Sequence, residues 1–250
     1  TPTGLTCPDA LRDWDAMTVA FLCHGKATPE HLGAILEASP DLALPVAVKG
    51  LFCILLGRRE MTDEARRAAN EARARIAAGD SSPRARNYLA ALEHWLAGDP
   101  PAAIAALEQQ LMTWPADTLT AKIVHGMRFM IGDSAGMLQS VDRLMPAHGD
   151  DHPYRGYMLG CRAFALEETG SYELAEAVGR AGLELARDDA WGIHAVAHVY
   201  DMTHRPNEGI ALIDGHRESR AHCNNFGYHV WRHKALLHLD LGDIDTVLAL

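Results

Sequence analysis

The chain has no run of 18 or more apolar residues, no Cys-x-x-Cys pair and no dense basic stripe. The first absence excludes a membrane-spanning helix. Its five cysteines, Cys7, Cys23, Cys53, Cys161 and Cys223, are odd in number and widely spaced. That argues against a disulfide framework and for a reducing, cytoplasmic setting. A formal net charge of -10 argues against nucleic acid as a partner. The one Arg-rich stretch, Glu64 to Gly79, interleaves Arg with Glu at helical spacing and reads as a solvated helix face. The N-terminus has neither a basic region nor an apolar core, so a secretory signal is not expected. There is no phosphate-binding glycine loop and no Gly-x-Ser-x-Gly elbow.

Strand signals are almost as scarce. Apolar residues recur instead at i, i+3, i+4 and i+7, as in Leu174, Ala177, Val178, Ala181 and Leu185. The pattern predicts helices over 9–23, 29–38, 43–56, 62–78, 84–97, 101–112, 117–131, 134–145, 154–169, 172–187, 190–203, 206–217, 226–241 and 243–250. Breakers are regularly spaced. Gly98, Gly132, Gly170 and Gly242 lie 34, 38 and 72 residues apart. The missing marker falls in the run Thr203 to Asn207, where Pro206 breaks the pattern. A helix, a tight turn and a second helix at a period near 34 is the signature of tetratricopeptide-like repeats. The expected fold class is therefore all-α, a single solenoid of antiparallel helix pairs over residues 1–250. It is less regular before about 82 and clearest over 83–250. Stacked pairs bury a continuous core and leave a groove lined by the first helix of each pair. The chain stops at Leu250 soon after a helix begins, with no polar closing helix. This predicts a missing C-terminal segment or self-association at that end.

What the chain has in excess is histidine. There are fourteen, eight of them after residue 190. Two doublets stand out, His194 with His198 and His229 with His233. Residues four apart share one face of a helix, so each doublet offers two imidazoles side by side. His125, on an equivalent first helix, joins them as a candidate. These five suit general acid–base catalysis, with Asp201 or Glu208 as orienting carboxylates. The four doublet histidines also suit a transition metal as neutral nitrogen ligands. The zinc-protease pattern needs Glu directly after the first histidine. Ala195 and Val230 occupy those places, so that mechanism is not supported. Trp191, Trp231 and Tyr228 are candidate cofactor contacts. Cys223 would act as a nucleophile only with an adjacent base such as His222.

The run Asp188 to Met202 (DDAWGIHAVAHVYDM), the following NEGI, and YHVWRHKALLHLDLGDIDTVLAL resemble the tetratricopeptide repeat protein 38 family and its bacterial relatives. The matching positions are Asp189, Ala190, Trp191, His194, His198, His229, Trp231 and His233. The segment DTLTAKIVHGMRFMIGD places His125 at a family histidine. The likeness is strongest from Asp117 to Leu250 and faint before Ala90. Tyr228 and Arg232 stand where the family commonly has tryptophan, and family members continue with further repeats. The resemblance supports the fold and the choice of histidines but names no reaction. The expected function is small-molecule binding in a histidine-lined concave pocket, extending to an enzyme that uses His as acid–base or metal ligand. The alternative is a protein-interaction scaffold holding a peptide or partner helix in its groove.

Overall fold

A computed structural model describes residues 2–80 and 82–250, and among these there are fourteen α-helices and no strand. Each helix lies within two residues of the bounds that apolar periodicity predicts. The chain divides into two compact units, Thr1–Thr18 with Ala27–Asp133, and Val19–Lys26 with Ser134–Leu250.

The first unit holds most of α1 (Pro8–Leu22), then α2 (Thr28–Ala38), α3 (Ala43–Leu55), α4 (Met61–Ala77), α5 (Pro83–Leu96), α6 (Pro100–Thr113) and α7 (Thr118–Met130). α3 is apolar around most of its circumference and is covered by α4, α5 and α7. Gly50 lets α3 approach α5, since a Cβ there would lie 2.3 Å from Leu92. A buried ion pair joins Arg84 to Asp117 at 2.7 Å, and the guanidinium lies over the rings of Trp14 and Tyr88. Asp117 also caps α7 by accepting the Thr120 N–H.

The second unit contains α8 (Ser134–Leu144), a 3-10 turn (Met145–Ala147), α9 (Arg155–Glu168), α10 (Tyr172–Leu185), α11 (Ala190–Met202), α12 (Pro206–Gly215), α13 (Phe226–Asp240) and α14 (Ile244–Ala249). α9 packs on α8, α10 and α11, while α11 also meets α10, α12 and α13. Ile193, Val196, Ala197, Tyr200, Ile213, Val230 and Leu237 form its core. Small residues set the spacing. Gly156 and Gly182 bring the α9 and α10 backbones together, and a Cβ on Gly179 would lie 2.4 Å from Val196. Glu176 of α10 ties three elements, accepting from Tyr200 Oη at 2.8 Å and pairing with Arg205 at 2.6 Å. Hydrogen bonds from Arg205, ahead of the Tyr200 contact, hold the Glu176 carboxyl down to about 2.

The turns explain the repeat spacing. Gly98, Gly132, Gly170 and Gly242 all adopt positive φ, the left-handed conformation that closes a helix. The absent fifth marker is His204, with φ 56, between α11 and α12. Successive left-handed residues are then 34, 38, 34 and 38 apart. A β-carbon in this conformation costs roughly 1–2 kcal/mol. Gly170→Ala is therefore expected to lower stability by about 1 kcal/mol, and His204→Gly to raise it by about 0.5–1 kcal/mol. Urea midpoints of the two variants check this, and a destabilised His204→Gly would contradict it.

Candidate metal centre

The second unit brings the two histidine doublets face to face. α11 starts where it does because Asp189 caps it, accepting the Trp191 N–H at 3.1 Å. Asp189 is itself buried, with Oδ2 where a Cβ on Gly160 would lie, 2.0 Å away. Only glycine at 160 lets α9 pass this cap. α11 is buried over Ala190–Ala197, which places His194 in the interior and His198 at its edge. α13 packs against it through Val230, His233 and Leu237, with His229 half-buried one turn earlier.

His194, His198, His229 and His233 each offer a ring nitrogen within 4.8 Å of the others. Across and within the two helices, ring centroids are 4.3 to 4.9 Å apart and the planes are inclined by 53° to 84°. The rings therefore point edges at a common centre instead of stacking. His229 Nε2 is 2.9 Å from His194 Nε2 and 3.2 Å from His233 Nε2. A neutral ring nitrogen has one proton or one lone pair. His229 Nε2 therefore cannot make full hydrogen bonds to both neighbours. Four nitrogens around an ion at about 2.0–2.1 Å would be roughly 3.4 Å apart, so the observed contacts are close to a coordination shell.

The walls are aromatic. Phe164, Trp191 and Phe226 lie 5.3 to 5.4 Å from the His194 ring. His24, from the turn after α1, stacks on Phe226 at 4.2 Å and on Trp191 at 5.6 Å. Burial holds the His194 ring well below the ordinary imidazole range, reinforced by His198, His233 and His229. Burial, then His198, lowers His233 to about 3, and burial followed by Arg232 lowers His229. His194, His229 and His233 are thus neutral at pH 7, the protonation state in which imidazole binds metals. At the rim, Glu167 of α9 is buried with Oε2 3.6 Å from His198 Nδ1. His198 Nε2 is buried and has no hydrogen-bond partner. A carboxylate that accepts from one ring nitrogen is the usual support for a metal-binding histidine, and at 3.6 Å Glu167 stands just beyond that distance.

Other sequence candidates fall elsewhere. His125 is buried on α7 in the first unit and is outside this cluster, its ring held neutral by burial and then by Lys122. Trp191 lies against the cluster. Trp231 instead packs under Lys234 and Arg217, with centroid distances of 4.8 and 5.5 Å. Tyr228 is 78% exposed. The carboxylate beside His198 is Glu167. Glu208 pairs with Arg205, while Asp201 lies near both Asp240 and His198. Cys223 Sγ is 3.9 Å from His222 Nε2, but burial pushes its thiol up to about 11, the opposite of an activated nucleophile. Spacing did not flag His24, Phe164, Glu167 or Phe226. They reach the cluster from three elements, His24 from the turn after α1, Phe164 and Glu167 from α9 and Phe226 from the start of α13.

No helix among the described residues is long and apolar enough to cross a membrane. No protein-family model matches this chain.

The buried rings give the metal-free protein a definite acid response. Above pH 6.5, the ordinary imidazole value, His194 and His233 are neutral whether the chain is folded or not. Below it the unfolded chain takes up protons that the folded chain refuses. Stability is then lost as pH falls toward about 3, where His233 protonates in the folded chain too. The expected slope is up to about 1.4 kcal/mol per pH unit for each ring. Urea midpoints of chelator-treated protein between pH 7 and 5 test this. An unchanged difference between wild type and His233→Leu across that range would contradict it.

Proposed function

We propose that this protein is a metal-dependent ligand-binding protein whose four histidines, His194, His198, His229 and His233, hold one divalent transition ion. The observation that carries this reading is the contact of three Nε2 atoms, at 2.9 and 3.2 Å, that hydrogen bonding alone cannot satisfy. All-imidazole donor sets suit zinc, copper, nickel, cobalt or iron. Neutral ligands leave the ion's double charge uncompensated, so a small anionic or lone-pair ligand is the natural occupant of any further coordination position. His198 and His229, the two partly exposed rings, mark the side from which it would enter. Glu167 orients His198, and the Phe164–Trp191–Phe226 wall excludes water.

The same reading takes the helix pairs to be tetratricopeptide-like repeats and keeps the resemblance to the tetratricopeptide repeat protein 38 family. The regular left-handed turns at 34 and 38 residues support the repeat reading, while the resemblance rests on the sequence runs alone. The acid–base and metal roles of the histidines converge here, because a ligand held at the ion would sit against the same imidazoles. The tight ring packing favours an ion-sized centre over a peptide groove.

Elemental analysis and zinc titration of the purified chain test the proposal. His194→Ala and His233→Ala are each expected to lose one metal equivalent. Glu167→Gln is expected to keep it with about 10–100-fold weaker affinity. Wild type that is folded but binds no ion lost by these variants would overturn it.

A further inference from the structure

A second donor cluster lies in the same unit, apart from the four imidazoles. The turn after α1 runs antiparallel to the segment before α13. Gly25 bridges to Cys223, the Lys26 N–H donates to His222 O at 3.0 Å, and the Asn224 N–H donates to His24 O at 2.8 Å. This short pairing sets Cys23 beside His222 and Cys223. Asp188, from the turn between α10 and α11, completes the group. Cys23 Sγ, an Asp188 oxygen and a ring nitrogen of His222 lie within 4.8 Å of one another. Cys223 Sγ is 3.6 Å from Cys23 O and 3.9 Å from His222 Nε2. Tyr157 Oη donates to Asp188 Oδ1 at 2.9 Å, which orients that carboxylate. Cys23 is buried in a small apolar cluster with Leu22, Tyr157 and Ala186.

We infer that Cys23, Asp188 and His222, with Cys223 as the nearest further donor, form a structural site for zinc. A thiolate, a carboxylate and an imidazole are all ordinary zinc ligands, and structural sites commonly complete a tetrahedron with a second sulfur. Cys23 and Cys223 each release a proton to solvent on binding, and their two thiolates with the Asp188 carboxylate offset the ion's two charges and leave the site with one net negative charge. The site joins residues that are 165 and 34 positions apart along the chain. It thereby pins the Val19–Lys26 segment to the loop that precedes α13. That segment delivers His24, and the loop leads directly into Phe226. His24 stacks on Trp191 and on Phe226, and the Phe226 ring lies tilted against Trp191, which itself meets His194. The second ion would therefore brace the aromatic wall of the first. The inference does not depend on the four-histidine reading, because the two sites share no ligand.

Cobalt separates them. A sulfur ligand adds a thiolate-to-cobalt charge-transfer band that an all-imidazole site lacks. Chelator-treated, reduced wild type titrated with cobalt is expected to show this band, saturating at one equivalent. The band should persist in the His194→Ala, His233→Ala double variant. It should vanish in Cys23→Ser and in Asp188→Asn, with loss of one cobalt equivalent. Asp188→Asn keeps the side chain's shape, so it decides the matter if Cys23→Ser fails to fold by circular dichroism. No sulfur band in folded wild type, or a band undiminished in folded Asp188→Asn, would overturn the proposal. The four-histidine site is read separately, from the cobalt equivalent without sulfur character.

Discussion

α11 has apolar or imidazole side chains at almost every position, and a helix of that kind must be covered on several sides at once. α9, α10, α12 and α13 supply the cover, and much of the second unit's architecture follows from this need. Fully burying a large apolar side chain stabilises a fold by roughly 1.5–3 kcal/mol, and Ile193, Val196 and Tyr200 are all buried here. Close cover requires the glycines at 160, 179 and 192, whose missing β-carbons make room for Asp189 and for Val196. Gly209 does the same where α12 passes Tyr200 and Leu237. Because α11 is enclosed over Ala190–Ala197, His194 cannot turn to solvent and must meet whatever α13 presents.

α13 presents two more histidines. Burial keeps His194 and His233 neutral, and the neighbouring imidazoles push them further the same way. The result is a cluster of lone pairs and ring N–H groups with too few complementary partners. In a low-dielectric interior such a group costs stability unless it is satisfied. Four ring nitrogens this close are the kind of donor group that a divalent cation could satisfy. The same unit sets a second donor group, the thiol of Cys23, the carboxylate of Asp188 and the imidazole of His222, close together. The two clusters differ in softness and charge, the first neutral and nitrogen-only, the second able to offset both of an ion's charges.

Much of the local structure was legible in the chain. The fourteen helices follow from apolar periodicity, and their ends from Asp and Ser caps, prolines in the first turn and left-handed glycines. His204 was not legible as a turn residue, because Pro206 two positions on is the stronger breaker and drew the turn to itself. Its position becomes clear only once the spacing on both sides is measured. The four-residue spacing of each doublet identified which imidazoles share a face. It did not show that the two faces meet, and Trp231 and Tyr228, though neighbours of the second doublet, point to other sides of α13. Glu167 and His24 left no trace in spacing, since they arrive from 31 and 170 residues before His198 and His194.

Sequence by itself determined which segments are helical, where they turn and which side chains lie on one face of each helix. These are consequences of hydrogen bonding and side-chain geometry within a few residues of one another. Only the tertiary structure decided that the His194 and His229 doublets interlock, that Glu167 backs His198, and that Cys23 reaches Asp188 and His222. Those choices depend on how closely whole helices can approach. That distance is set by glycines and buried side chains on partners far away in the chain, so no local pattern carries it.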